Sequence, residues 1–349
     1  MQNFQVARIP SLIFGIGTFR KLPSLLGDKG HASIAVVTGG RSVRGREQWS
    51  SFIDDLAAQD CTLMDFTVRG EPSPEAVDAI AAQLRDELPE VSAVVAIGGG
   101  SVIDTGKAVA AAFCMPESVK TYLEGVGTGS PPGDSLPLFA VPTTAGTGSE
   151  ATKNAVLSSV GGVDGFKKSL RHENFVPIVA LLDPSLYQNC PPQVAVPSGL
   201  DAVTQLIESH VSTQASPFTR ALSAQGLGLV GKSLPRIADG SASVHDWGNM
   251  AYAAYLGGIC LGNAGLGIVH GLASPIGASH EIPHGVFCGL LLGPSLERTL
   301  NVAGAPHPAV EEYRAVSRLI LGDGAGPAEL LDWVSSVSEQ LGTLGEFGF

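Results

Sequence analysis

The stretch Val91-Ser-Ala-Val-Val-Ala-Ile-Gly98-Gly99-Gly100-Ser101-Val-Ile-Asp104-Thr-Gly-Lys107 decides how this chain folds. It reads as a buried strand, a glycine turn and the opening of a helix in one line. The three glycines let the backbone come close to a ligand, and the N–H groups of the following first helical turn, at its positive dipole end, point at that ligand. A pyrophosphate fits there, with Gly98, Gly99, Gly100, Ser101 and Asp104 around it. The competing structural reading is a plain strand-to-helix turn in which Ser101 and Asp104 form an S-x-x-D capping box.

Working outward, apolar runs at 33–38, 63–68 and 93–97 alternate with segments of helical period at 46–58 and 74–87, the signature of βαβ units. The runs are rich in Val, Ile and Ala on both faces, as parallel strands covered by helices require. A further run at 136–141 leads into Pro142-Thr143-Thr144-Ala-Gly146-Thr147-Gly148-Ser149-Glu150, a hydroxyl- and glycine-rich loop that offers hydrogen bonds to a ligand or is simply a surface loop. A last strand is expected at 179–183, stopped by Asp183-Pro184. Thus 1–183 is expected to be an α/β dinucleotide-binding domain with a doubly wound parallel sheet. The pattern then turns helical from about Pro197, so 184–349 is expected to be an all-α domain, with segments at 246–256, 264–273, 308–321 and 328–341.

The 349 residues exceed the size at which one core usually keeps growing, which favours two domains. A net charge of −12 argues against a nucleic-acid surface, which needs clustered Lys and Arg. No run of apolar residues reaches the ~18 of a membrane span, and the first residues lack a secretion signal, so a soluble cytoplasmic protein acting on small molecules is expected. Cys61, Cys114, Cys190, Cys260 and Cys288 form no C-x-x-C pair, and are read as buried free thiols.

Two of the eight histidines, His270 and His284, stand among apolar and small residues in the helical half. Histidines in such surroundings are commonly hydrogen-bonded core residues. Asp201, read as lying in the first turn of an apolar helix, needs a partner, and two neutral imidazoles with a cation supply one. The alternative is a charge that complements the helix dipole. His280-Glu281-Ile282-Pro283-His284 matches the H-E-x-x-H protease pattern, but Pro283 breaks the helix on which that pattern depends.

With these residues in hand, the chain resembles the iron-containing, or group III, alcohol dehydrogenase family over nearly its whole length. The resemblance rests on motifs in the family's order: the glycine stretch to Lys107, the loop 142–150, Gly199-Leu-Asp-Ala-Val-Thr-Gln205, His270-Gly-Leu-Ala-Ser-Pro-Ile-Gly277 and Pro283-His-Gly-Val286. It implies a dehydroquinate-synthase-like plan in which cofactor, metal and substrate meet between an N-terminal dinucleotide-binding domain and a C-terminal helical one. By position it implies pyrophosphate contacts from Gly98, Gly99, Gly100 and Ser101, cofactor contacts from Thr143, Thr144, Thr147, Ser149 and Lys167, and metal ligands at Asp201, His270 and His284. Where most members carry a histidine four residues after the aspartate, this chain has Gln205, on the same helical face as Asp201 and a weaker ligand for iron or zinc. Ser274 stands where many members carry another histidine. The chain also ends at Phe349, sooner than typical members, so the helical domain is expected to lack final elements.

The activity so implied is transfer of a hydride between NAD or NADP and a small aldehyde or ketone, aided by a Lewis-acid metal, in a homodimer. The turn Val37-Thr38-Gly39-Gly40-Arg41-Ser42 carries no acid to accept the ribose 2′-OH, and Arg41 suits a 2′-phosphate, which favours NADP. The alternatives are a maleylacetate-reductase-like enzyme, a dehydroquinate-synthase-type lyase that uses nicotinamide transiently, and a non-catalytic cofactor-binding protein. All turn on whether Asp201, His270 and His284 share one site facing the glycine turn.

Overall fold

Six strands in parallel register carry the N-terminal half in the computed structural model, which describes residues 3–40, 42–159, 165–303 and 307–347. The elements run β1 (Ser11–Phe14), α1 (Leu22–Asp28), β2 (Ser33–Gly39), α2 (Glu47–Ala57), β3 (Thr62–Val68), α3 (Pro74–Glu87), β4 (Ala93–Gly98), α4 (Gly100–Ala112), β5 (Leu138–Pro142), β6 (Asn154–Ser159), β7 (Phe166–Arg171) and β8 (Val179–Leu182). The sheet order is β1-β8-β5-β4-β2-β3, while β6 and β7 form a separate antiparallel hairpin. Every residue of β4, β5 and β8 is buried, which is why those segments read as unbroken apolar runs.

The chain leaves β2 in one direction and β4 in the other, so their carboxyl ends diverge at the point where the strand order reverses. Open α/β sheets bind ligands at such a crevice. Gly39 ends β2 and Gly98 ends β4, with Thr38 and Ile97 in register just before them.

The second half is helical: α5 (Pro192–Val211), α6 (Pro217–Ala238), α7 (Val244–Ala264), α8 (Ile268–Ser279), α9 (His284–Ala303), α10 (Pro308–Leu321) and α11 (Pro327–Ser338). Helix α5 begins at Pro192 rather than near Pro197, which lies inside it. Asp201 is therefore a mid-helix residue, and the helix-dipole reading of its charge fails. From Ala195 to His210 every α5 residue except Ser198 is buried. One hydrophobic cluster runs from the sheet (Ile34, Phe139) through α5 (Leu206) to α6 and α11 (Val230, Val334), so α5 is the central post of the helical half. A second cluster, including Ala35, Ala96, Val109 and Leu138, fills the sheet's other face. Among the described residues, no single helix is long and apolar enough to cross a membrane.

Candidate active site in the cleft between sheet and helices

Gly99 is the N-cap of α4, and no side chain caps that helix. The capping-box reading is thereby corrected: the helix starts before Ser101, and Asp104 turns elsewhere. Its carboxylate accepts hydrogen bonds from Ser149 Oγ and, at 3.1 Å, from the Val156 N–H. Burial pushes the Asp104 carboxyl up, against the pull of Lys107 and of these hydrogen bonds. The Val102 and Ile103 N–H groups donate to the Gly99 carbonyl at 3.0 and 3.1 Å, which leaves the N–H groups of Gly100 and Ser101, both lining the cleft, as the open donors of the α4 N-terminus.

The hydroxyl loop lies against this turn. Thr143 N–H donates to the Gly98 carbonyl at 2.9 Å. A Cβ on Gly99 would stand 3.2 Å from Thr144 Oγ1, and one on Gly100 would stand 2.6 Å from Thr147 Oγ1, so Gly100 tolerates no side chain without displacing the loop. Gly148, at φ +61°, packs its backbone onto Ala254 and Gly258 of α7, which docks the loop on the helical half.

On the helical side, Asp201 on α5, His270 on α8, and His284 and Cys288 on α9 each direct one potential ligand atom into a cluster in which all four atoms lie within 4.8 Å of one another. Asp201 Oδ1 is 3.1 Å from His270 Nε2 and 3.6 Å from His284 Nε2. Asp201 is 1% exposed. Burial alone would push its carboxyl up, but His284, His270 and the Gln205 hydrogen bond outweigh it and hold the group below its ordinary range. His270 is the converse: burial disfavours its charged form, yet Asp201, Cys288 and Glu208 raise it well above the ordinary imidazole value. Burial likewise opposes ionisation of Cys288, and His284 and His270 reverse that.

Gln205 stands beside this cluster with its amide nitrogen toward it and its amide oxygen away. Its Nε2 donates to the Thr147 carbonyl at 3.2 Å and to Asp201 Oδ1 at 3.3 Å. Among the described residues its Oε1 has no hydrogen-bond partner and is buried on the side of Gly257. The amide thus links the hydroxyl loop to the Asp201 carboxylate.

One cleft of about 770 Å³ joins the two sides. Gly100, Ser101, Asp104, Thr147, Ser149 and Lys167 line its sheet side, and Gln205, His270, Ser274 and His284 its helical side. Lys167, on β7, is paired with Glu71 within the same cleft. Gly39, at the end of β2, packs beside Val102 of α4. Arg41 lies outside the described residues.

Sequence reasoning missed two residues here. Glu208 accepts from His270 Nδ1 at 2.7 Å and from the Val269 N–H at 2.8 Å, so His270 Nε2 is the nitrogen aimed at the cluster. The spacing 201, 205, 208 puts Glu208 on the same face of α5 as Asp201, a legible signal. Cys288 follows His284 by one turn of α9, and its Sγ lies 3.7 Å from His284 Nε2 and 3.8 Å from His270 Nε2. The reading of all five thiols as buried is corrected: Cys114 is exposed, Cys61 and Cys190 are half-buried, and only Cys260 and Cys288 are buried. His280 to Pro283 fall between α8 and α9, so the H-E-x-x-H pattern does not lie on one helix.

Residues 10–184 match the family model for iron-containing alcohol dehydrogenase, and residues 195–346 match that for the Fe-containing alcohol dehydrogenase family, C-terminal. A probable alcohol dehydrogenase EutG of Salmonella typhimurium is 40% identical over 223 residues, spanning 64% of this chain and 55% of that protein. Its Escherichia coli counterpart is 33% identical over 282 residues, 80% of this chain and 68% of that protein. Among solved structures, sulfoacetaldehyde reductase from Bifidobacterium kashiwanohense in complex with NAD+ superposes with a TM-score of 0.85 at 26% identity, covering 98% of this chain and 87% of that one.

Proposed function

The chain belongs to the iron-containing alcohol dehydrogenase family, and we propose that it is an NAD(P)-dependent dehydrogenase or reductase of a small alcohol, aldehyde or ketone. The observation that carries this reading is the shared cleft, with the uncapped glycine turn on one wall and the acid–imidazole cluster on the other.

The residues present fit both groups. A carboxylate and two imidazoles whose ligand atoms converge within 4.8 Å are a ligand set for zinc or iron. When bound, the nicotinamide exchanges hydride with a carbonyl carbon while the cation stabilises the oxygen's developing negative charge. Asp201, His270 and His284 would hold the cation, and Glu208, which accepts from His270 Nδ1, fixes the tautomer and orientation of that imidazole. Gly98 to Ser101 receive the pyrophosphate on the α4 N-terminus, with Thr143, Thr144, Thr147 and Ser149 beside it. Gln205 ties the two sides together through Thr147 and Asp201. The apolar cluster of Val269, Ala273, Val286 and Phe287 behind the histidines keeps bulk water from the site.

At the adenosine end the turn after β2 presents glycines rather than an acid, and Arg44 reaches Thr38 Oγ1 at 2.8 Å at the strand's end. Arg44 is ion-paired with Asp65, so the preference for NADP over NAD rests on the lack of an acid in this turn and on the arginine at position 41 of its sequence. Exposed Phe4, Val6, Ile9, Phe14 and Ile16 on and beside edge strand β1 offer an apolar face for the homodimer.

A spectrophotometric screen of small aldehydes with NADPH and NADH tests the assignment, run before and after chelation and on restoring zinc or iron. Steady oxidation of the reduced cofactor, lost with the metal and with a lower KM for NADPH, is the expected result. No net consumption of either cofactor would point to the lyase alternative, and a strong NADH preference would remove the ribose argument. Glu208→Gln is expected to weaken zinc binding by roughly 10–100-fold. Chelator competition reads it, and unchanged affinity would mean that packing alone orients His270.

A further inference from the structure

We propose that Cys288 is the fourth protein ligand of the cation site, so that the ion is held by a carboxylate, two imidazoles and a thiolate. This rests on the metal reading above and specifies its ligand set. The position four residues after Asp201 supplies no donor, because the Gln205 amide nitrogen is committed to the Thr147 carbonyl and the Asp201 carboxylate. Turning that amide over would set its oxygen against two acceptors. The vacancy in the ligand set is filled from the opposite helix.

His284 opens α9, and Cys288 lies one turn on, on the same face. Its Sγ stands 3.7 and 3.8 Å from the two Nε2 atoms. For a tetrahedral ion with the usual zinc–sulfur and zinc–nitrogen bond lengths, sulfur and nitrogen ligands are about 3.6 Å apart, and nitrogen and oxygen ligands about 3.4 Å. The observed Asp201 Oδ1 to Nε2 separations, 3.1 and 3.6 Å, bracket the second value. Four donors of three chemical kinds, brought from three helices to within 4.8 Å of one another, with four of their separations near the tetrahedral values, are the arrangement of a cation site. Cys288 belongs to the apolar cluster of Val269, Val286 and Phe287, yet its Sγ is also directed at two imidazole nitrogens, which core filling alone does not call for. Exchanging an imidazole for a thiolate softens the site and shifts its preference toward zinc and cobalt and away from magnesium and manganese.

Cobalt(II) added to the chelator-treated full-length chain supplies the test, because thiolate ligation produces a near-ultraviolet charge-transfer band separate from the visible ligand-field bands. The expected result is one cobalt per chain with the charge-transfer band in the unaltered protein. In Cys288→Ser that band is lost, ligand-field absorption persists, and zinc affinity falls by at least about tenfold. The band in the unaltered protein stands as a readout even where a variant folds poorly. Stoichiometric cobalt with no charge-transfer band, or with a band and zinc affinity that Cys288→Ser leaves unchanged, overturns the thiolate ligand while keeping the metal site. Failure of the unaltered chain to bind cobalt overturns the metal reading, and the thiolate with it.

Discussion

Asp201→Asn is expected to empty the cation site and to lower kcat/KM by a factor on the order of a thousand or more, the several kcal/mol that a Lewis-acid cation contributes. The exchange is isosteric, so α5 and its packing are retained. What it removes is negative charge at the one point where three donors converge: His270 Nε2 at 3.1 Å, His284 Nε2 at 3.6 Å and Gln205 Nε2 at 3.3 Å all face Asp201 Oδ1. Asp201 itself is 1% exposed, so the carboxylate's charge is not made up by solvent at that position. A neutral amide is also a poor ligand for a first-row divalent ion. Metal content by elemental analysis and steady-state reduction of an accepted aldehyde check both halves of the expectation. A metal-free variant that keeps its rate would make the enzyme a metal-independent reductase and reduce the cluster to a structural hydrogen-bond network.

The parts of this architecture that could be read from sequence are those where one residue type has one physical use. The glycine stretch could be placed because a buried apolar run ending in three glycines has few other solutions, and β4 and α4 lie where it puts them. Strand β1 is only four residues long and pairs with β8 alone, so its apolar signal is too short to separate from a turn. The β6–β7 hairpin mixes Lys167 and Lys168 with serines and shows only partial burial, so its polarity reads as loop. Pro197 misled for a different reason. Proline favours a helix start, but here Pro192 already occupies the first turn and α5 runs on through the second proline. Asp201, His270 and His284 were legible because a charge and two imidazoles among apolar residues demand partners. Glu208 was signalled only by its helical spacing from Asp201, and Cys288 by nothing, since a glutamate on a helix and a thiol in an apolar run have ordinary uses. Their partners, moreover, come from other elements: Glu208 and His270 are 62 positions apart.

Lys107→Met is expected to lower Tm by roughly 5 °C and to raise the KM for the dinucleotide more than it lowers kcat. Lys107 sits on α4, two turns below the glycine turn, and is 1% exposed. Its ammonium donates to the Ser149 carbonyl at 2.9 Å, Ser149 Oγ at 3.2 Å, Thr152 Oγ1 at 3.1 Å and the Asn154 carbonyl at 2.7 Å, with Asp104 Oδ1 3.8 Å away. Burial pushes this ammonium down to about 8 while Asp104 and Glu150 pull it back, and burial pushes the Glu150 carboxyl up to about 7. A single cation therefore satisfies the backbone of the hydroxyl loop where it turns into β6. Methionine keeps the length and removes every donor, leaving two carbonyls and the Asp104 carboxylate without their cation. Breaking a buried charge network in this way costs about 3–5 kcal/mol, and a chain of 349 residues loses about 1 to 2 °C of Tm per kcal/mol. The kinetic asymmetry follows from position, since the loop that is loosened carries Thr147 and Ser149 on the sheet side of the cleft, whereas the histidines stand on α8 and α9. Thermal unfolding together with separate KM values for dinucleotide and aldehyde measures this. Equal rises in both, or an unchanged Tm, would show that Gly148, docked on α7, holds the loop without the lysine.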